Sequence, residues 1–186
     1  MFKSILGSIG IAAIILLAIF TLIYNKLVRI KNLVNEAWSG IDIQLKRRYD
    51  LIPNIVATVK GYSDHEANTL TKVTQLRTIA MGASSIDDKI RAEAALTTSL
   101  KSLFAVAENY PDLKASANFT NLQTELSNIE EQLQLARRYY NAVARDYNNS
   151  IQVFPNNLVA NFLAYQPQPF FEVNHDVERQ APKVSF

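Results

Sequence analysis

ILGSIGIAAIILLAIFTLI, residues 5–23, contains no charged side chain. A helix needs about 20 mostly apolar residues to cross the ~30 Å hydrocarbon core of a bilayer, and this stretch supplies them. The next residues do not interrupt it. No proline occurs before Pro53, and Gly40 is the one glycine between Gly10 and Pro53. A helix begun in lipid therefore has no local reason to stop at the membrane surface. Residues 5–59 are expected to form one rod in two environments. Roughly 45 residues of it would reach about 68 Å, of which the lipid takes about 30 Å.

A secretory leader would share the basic start (Lys3) and the apolar centre. Here the apolar run is longer than a leader's, and Tyr24-Asn25-Lys26-Leu27 comes after it without a small-residue cleavage pattern or a lipobox cysteine. The expectation is an uncleaved anchor over residues 1–24. Basic residues are denser after the span (Lys26, Arg29, Lys31, then Lys46, Arg47, Arg48) than before it. By the positive-inside rule the N-terminus faces out and the rest lies in the cytoplasm. Lys26, Arg29 and Lys31 fall at headgroup depth and are the expected membrane-facing cations. Ser4, Ser8 and Ala12 recur every four residues beside Gly7, a spacing that lets two membrane helices approach closely, although small residues are common in such helices anyway.

Composition narrows the classes further. The 186 residues leave room for one ordinary domain beyond the anchor. With 19 basic against 17 acidic residues there is no global field to recruit nucleic acid. Cysteine is absent, which removes disulfides, thiolate nucleophiles and thiolate metal sites. Few glycines and prolines, most of them near the ends, favour an all-α chain: a transmembrane helix continuing into a body of four main helices over residues 25–163, with a proline-containing extended or disordered tail over 164–186.

Taken in order, Val34, Trp38, Ile41, Leu45, Ile52, Ile55, Val56 and Val59 step by threes and fours down one face. Trp38 in that stripe reads as a core anchor. Arg48 lies near the buried face and would need a buried acidic partner, while Lys46 and Asp50 are placed to pair on the surface. Pro53 cannot donate to the Tyr49 carbonyl, which predicts a kink or break, with a second helix over 54–81 weakened at Gly61. Gly82-Ala83-Ser84-Ser85 reads as a turn, Ser85 or Asp87 as the cap of a third helix to Asn109, and Tyr110-Pro111-Asp112 as the next break. The strongest periodicity comes last: Phe119, Leu122, Leu126, Ile129, Leu133, Ala136, Tyr140, Val143 and Tyr147 form a coiled-coil-like seam. Pro155 can start a short helix over 156–162. From Tyr165 the prolines forbid a long helix, and Phe162, Phe170 and Phe171 are available to dock the tail.

Three blocks carry a resemblance. AWSGIDIQLKRRYDLIPNIV (37–56), AENYPDLKA (107–115) and ARRYYNAVARDYNNSIQVFP (136–155), in this order and behind an N-terminal anchor, resemble the signature blocks of the LemA family. The resemblance runs from Tyr24 to about Glu172. It implies a bacterial membrane protein with one N-terminal span and a cytoplasmic antiparallel helical bundle. The family in turn resembles a component of magnetosome membrane formation, which implies a membrane-organising role. It implies no agreed biochemical activity.

Motifs that carry chemistry are few. There is no phosphate-binding glycine loop. Asp64-His65-Glu66 lacks the second histidine of a zinc-protease helix, and Glu172-Val173-Asn174-His175 has the E-x-x-H spacing of di-iron bundles in one copy only. No metal or cofactor is expected. The polar residues that stand out are Arg47, Arg48, Asp50, Glu108, Asn109, Glu130, Arg137, Arg138, Asn141 and Asn148. They read first as ion pairs and hydrogen bonds that fix helix register, and second as a polar cleft or an anion grip by Arg137 and Arg138. The function expected is that of a non-enzymatic, membrane-tethered scaffold or adaptor that touches membrane lipid and protein partners and self-associates. A ligand sensor on the opposite face and an enzyme acting on lipid or envelope precursors are the competing classes.

Overall fold

The computed structural model describes residues 2–62 and 66–171, and for residues 2–4 and 6 the backbone alone. The expectations for the side chains of Lys3, Ser4, Asp64 and His65, and for everything beyond Phe171, lie outside the described residues. Among those described there are helices and no strand: α1 Phe2–Lys60, α2 Ala67–Gly82, α3 Ile86–Ala107, α4 Pro111–Lys114, α5 Ala117–Gln152 and α6 Asn156–Phe162. The chain is all-helical, and its apolar N-terminal helix runs on into the helical body.

The 59 residues of α1 extend about 88 Å at ~1.5 Å per residue. Its first part is long and apolar enough to cross a membrane. Ile9, Ile14, Leu17 and Leu22 there are all exposed, and among the segment's described side chains none is buried. Burial begins at Leu27 and continues through Val34, Ala37, Ile41, Leu45, Arg48, Ile52, Ile55 and Val59. The expected stripe is largely there, with an arginine in it, but Trp38 and Val56 are half-buried and Leu27 and Ala37 join it.

Pro53 does not break the helix. α1 passes through it to Lys60, and the expected second helix over 54–81 is therefore the end of α1 followed by α2 from Ala67. Two things account for this. Pro53 points to solvent while Ile52 and Ile55 are buried on either side, so packing holds the backbone in register across the gap. The Tyr49 carbonyl that Pro53 leaves without a helical donor instead accepts a hydrogen bond from Arg77 Nε of α2 at 2.6 Å. The helix stops at Gly61 and Tyr62, whose N–H groups close back on Ala57 and Val59.

The chain divides into two compact units, Met1–Asp42 with Leu135–Phe170 and Ile43–Gln134 with Phe171–Phe186. In the first, α1 lies against the C-terminal part of α5. Trp38 meets Tyr140 edge-on at 5.3 Å, Lys31 Nζ stands 4.5 Å over the Tyr165 ring, and Phe20 meets Phe162 at 6.2 Å. Between Trp38, which meets Tyr140, and Phe20, which meets Phe162, the two stretches of chain run in opposite directions, the sense of an antiparallel pairing. Beyond α6 the chain runs extended along α5, held by side chains. Tyr140 Oη donates to the Pro169 carbonyl (2.9 Å), Tyr147 Oη to Gln166 O (3.1 Å), and Asn148 exchanges two bonds with Gln168 (2.9 and 2.8 Å). Pro167 and Pro169 have no N–H to give, so α5 supplies donors to their neighbourhood instead. Burial, and behind it the nearby Tyr165, raises the pKa of the Tyr147 phenol and keeps it a donor.

The second unit gathers the end of α1, α2, α3, α4 and the start of α5. Its core includes Leu70 and Val73 of α2, Leu96, Leu100 and Leu103 of α3, Leu113 of α4, and Phe119, Leu126, Ile129 and Leu133 of α5. Fully burying such a side chain is worth about 1.5–3 kcal/mol. Ser85 caps α3, its Oγ accepting from Asp88 N–H at 3.0 Å, and α3 ends at Ala107 rather than Asn109. Pro111 opens α4 at a position where its missing N–H costs nothing.

Candidate functional site

The most unusual group of side chains in the second unit centres on Arg48 and Tyr49, consecutive residues of α1. Their neighbours in sequence, Leu45 and Ile52, point into the core, and helical spacing obliges Arg48 to share their face. Its side chain is 1% exposed, and so is that of Glu93 on α3. Arg48 Nη1 donates to Glu93 Oε2 at 2.7 Å, and Nη2 donates to Thr97 Oγ1 at 2.9 Å. The other carboxylate oxygen, Glu93 Oε1, accepts from Tyr49 Oη at 2.5 Å. Arg48 Nε lies 2.8 Å from Glu130 Oε1 on α5, a close charge contact without the alignment of a hydrogen bond. Arg77 of α2 completes the group through the Tyr49 carbonyl. One turn of α1 is thus tied by polar contacts to each of the other three long helices of its unit.

The chemistry open to this arrangement is limited. Glu93 has both oxygens engaged by donors, and Arg48 has no lone pair to offer. No hydroxyl or amine in the group faces a base with room for a substrate. Among the described residues no cluster of three histidine, cysteine or acidic side chains could hold a metal ion. An open groove of about 640 Å³ lies elsewhere in the unit, floored by Val56, Leu70 and Ile79 and rimmed by threonines, with Lys60 the one ionisable side chain among its described lining residues.

The sequence-predicted polar residues separate in space. Arg48 and Glu130 meet. Arg47 is exposed and reaches Gln44 on its own helix, and Asp50 is exposed. Glu108 is exposed and pairs with Lys114 across the α3–α4 turn at 2.5 Å, with Asn109 exposed beside it. In the first unit, Arg138 is exposed while Arg137 and Asn141 are half-buried, so Arg137 and Arg138 do not share one surface. Asn148 binds the extended segment. Of the membrane-facing cations, Lys26 and Arg29 are exposed beside Leu22 and Leu33, whereas Lys31 is taken up by Tyr165.

Sequence reasoning missed Glu93, Tyr49 and Arg77. A signal for Glu93 was present: it steps by three and four with Leu96, Leu100 and Leu103, so a lone acid stood on the apolar face of one helix and a lone base on that of another.

The part of the chain that carries this group matches a known family. The match is to the LemA family, over residues 37–186. The chain belongs to the LemA family. Among relatives, it is 31% identical to Protein LemA of Metamycoplasma hominis over 174 residues, covering 89% of this chain and 78% of that one. It is 21% identical to two magnetosome proteins MamQ of Paramagnetospirillum magneticum over 175 residues, covering 80% of this chain and 64% of each of them. The family match takes in Arg48, Glu93 and Glu130 and all of α2 to α6 and begins after the apolar segment of α1.

Proposed function

We propose that this LemA-family protein is a non-enzymatic scaffold or adaptor that a single N-terminal span holds at the bacterial inner membrane, with its body in the cytoplasm. The observation that carries the reading is the unbroken passage of α1 from an uncovered apolar segment into a unit locked by buried polar contacts. A continuous helix holds what is built on it at a set distance from the bilayer, as a scaffold requires. The polar group at Arg48 supports a structural role, because its ionic groups are spent on one another. The LemA family is not a known enzyme family. The relatives named as magnetosome proteins support work at a membrane.

Partners on this reading are membrane lipid, other proteins and a second copy of the chain, the last through the open face of Gly7, Ser8 and Ala12. Crosslinking in cells with photoreactive residues on the body, followed by identification of the adducts, is the direct test. Reproducible protein adducts are expected. A protein that runs as a strict monomer in detergent and yields no adduct removes the reading. Reporter fusions at the C-terminus test orientation: cytoplasmic activity is expected, and periplasmic activity places the body on the opposite face.

A further inference from the structure

We propose that α6 and the turn before it form a second contact with the bilayer, lying in the interface beside the C-terminal end of the span with their apolar side chains among lipid acyl chains. The proposal rests on the span being in a bilayer, and not on the scaffold role.

The first observation is an uncovered apolar face. Phe154, Leu158 and Phe162 are 78%, 61% and 79% exposed, although they are among the most apolar residues in their region. Leu158 and Phe162 are four apart on α6 and so share a face, while Asn156, Val159 and Ala160 turn the other side into the unit. Three large apolar groups held out together are costly in water and call for a cover.

The second observation identifies the cover. The Phe162 ring packs edge-on against Phe20 of the span at 6.2 Å. A groove of about 810 Å³ beside it is lined by Leu16, Leu17, Phe20 and Ile23 of α1 together with Pro155 and Leu158. The span side of that groove is the surface that lipid solvates once α1 is in a membrane, so acyl chains reach the α6 side as well. Depth agrees. Phe20 precedes Lys26, the first charge after the apolar run, by a rise of about 9 Å, and interfacial helices bury their apolar side ~5–10 Å into the boundary between headgroups and acyl chains.

The third observation is polarity. No charged residue occurs between Asp146 and Glu172, the whole stretch that carries α6. The C-terminus of α6 is closed internally: Ala164 N–H donates to Asn161 O and Tyr165 N–H to Ala160 O, so carbonyls that water would otherwise satisfy have partners.

The cysteine-free sequence makes the test direct. Single variants Phe154→Cys, Leu158→Cys and Phe162→Cys of the full chain, spin-labelled and placed in bilayers of mixed phosphatidylcholine and phosphatidylglycerol, report collisions with oxygen and with a water-soluble nickel chelate. Leu17→Cys marks the span and Lys101→Cys the exposed surface of α3, and helical content by circular dichroism confirms folding. The expected result is an oxygen-to-nickel ratio at positions 158 and 162 several-fold above that at 101 and close to that at 17. A ratio like that at 101 overturns the proposal. So does spin–spin broadening at 158 or 162 that vanishes on dilution with unlabelled protein, which would make a second copy the cover. A nickel-accessible label at 17 would instead show that the span reading itself has failed.

Discussion

Removing Arg48 and Glu93 from water costs several kcal/mol per ion, and their mutual attraction with the Tyr49 and Thr97 bonds offsets much of that. The asymmetry between breaking and replacing such a pair yields a prediction. Glu93→Ala leaves a buried guanidinium without its main partner and should destabilise the protein by about 3–5 kcal/mol, whereas Arg48→Met with Glu93→Leu should recover most of that loss. Denaturant unfolding followed by circular dichroism measures both. If the double variant were as unstable as the single one, the pair would hold something beyond its own charges. Arg77 invites a second measurement. Its bond to the Tyr49 carbonyl exists because Pro53 donates nothing there, so Arg77→Met should cost about 1.5–3 kcal/mol in the natural background. In a Pro53→Ala background the restored N–H competes for the same oxygen, and the cost should shrink. Equal costs in both backgrounds would separate the two features. A single helix shows from sequence alone that Arg48 requires an acid. Which acid answers is a property of packing between helices: Glu130 of α5 stood out in the sequence and does approach Arg48, while Glu93, on the apolar stripe of α3, makes the hydrogen-bonded pair.

At the scale of elements, the local signals that involve the backbone's own neighbours were the legible ones. Ser85 at the start of α3, the break at Pro111, Pro155 before α6 and the seam of α5 all act within a turn or two of where they stand, whereas the short helix α4 that Pro111 opens was not foreseen. Pro53 misled because its effect was cancelled from elsewhere in the chain, by Arg77. The extended segment after α6 was legible as non-helical and as able to dock through its phenylalanines, of which Phe171 is buried while Phe162 and Phe170 are exposed, but the hydrogen bonds from Tyr140, Tyr147 and Asn148 of another element were not. Two caps can be tested. Ser85→Ala should cost about 1 kcal/mol. The Ser85 hydroxyl and then Arg91 hold the Asp88 carboxyl below its ordinary pKa, so the contribution of this cluster is present above the ordinary carboxylate range and is lost as pH falls through the lowered value. The Ser85→Ala penalty should therefore diminish in acid, as unfolding curves across a pH series would show. A penalty constant with pH would confine the role of Ser85 to its bond with the Asp88 N–H. At the other cap, Ala164 sits at φ 53, and its bonds and those of Tyr165 form the pattern in which glycine is usual. A left-handed conformation costs an L-residue roughly 1–2 kcal/mol, partly offset by the ~0.5–1 kcal/mol of extra chain entropy that glycine loses on folding. Ala164→Gly should thus leave stability unchanged or raise it by up to about 1 kcal/mol, and a clear loss would mean that the methyl group has contacts of its own.

For the whole molecule, what matters is whether the apolar first part of α1 and the part that enters the body need to be one rod. The apolar run and the first buried residue, Leu27, are separated by Tyr24, Asn25 and Lys26, which are exposed, with Tyr24 stacked on Phe20 of the same helix at 6.5 Å. Inserting Gly-Ser-Gly-Ser between Asn25 and Lys26 in the full chain interrupts the helix there and leaves both sides their own sequence. Glycine weakens a helix interior by about 1 kcal/mol relative to alanine, so two of them beside two serines should open a joint. The span should still partition to the membrane fraction, and far-ultraviolet circular dichroism should change little. If the set distance between bilayer and body is what the protein provides, crosslinks from the body to its partners should be lost or should move to new positions. The contact of α6 with lipid should weaken in the same variant, since Phe20 would no longer be held opposite Phe162. If the partner crosslinks persist unchanged at the same residues, the anchor serves only as a tether, and the continuity of α1 follows from helix propagation through an uninterrupted sequence.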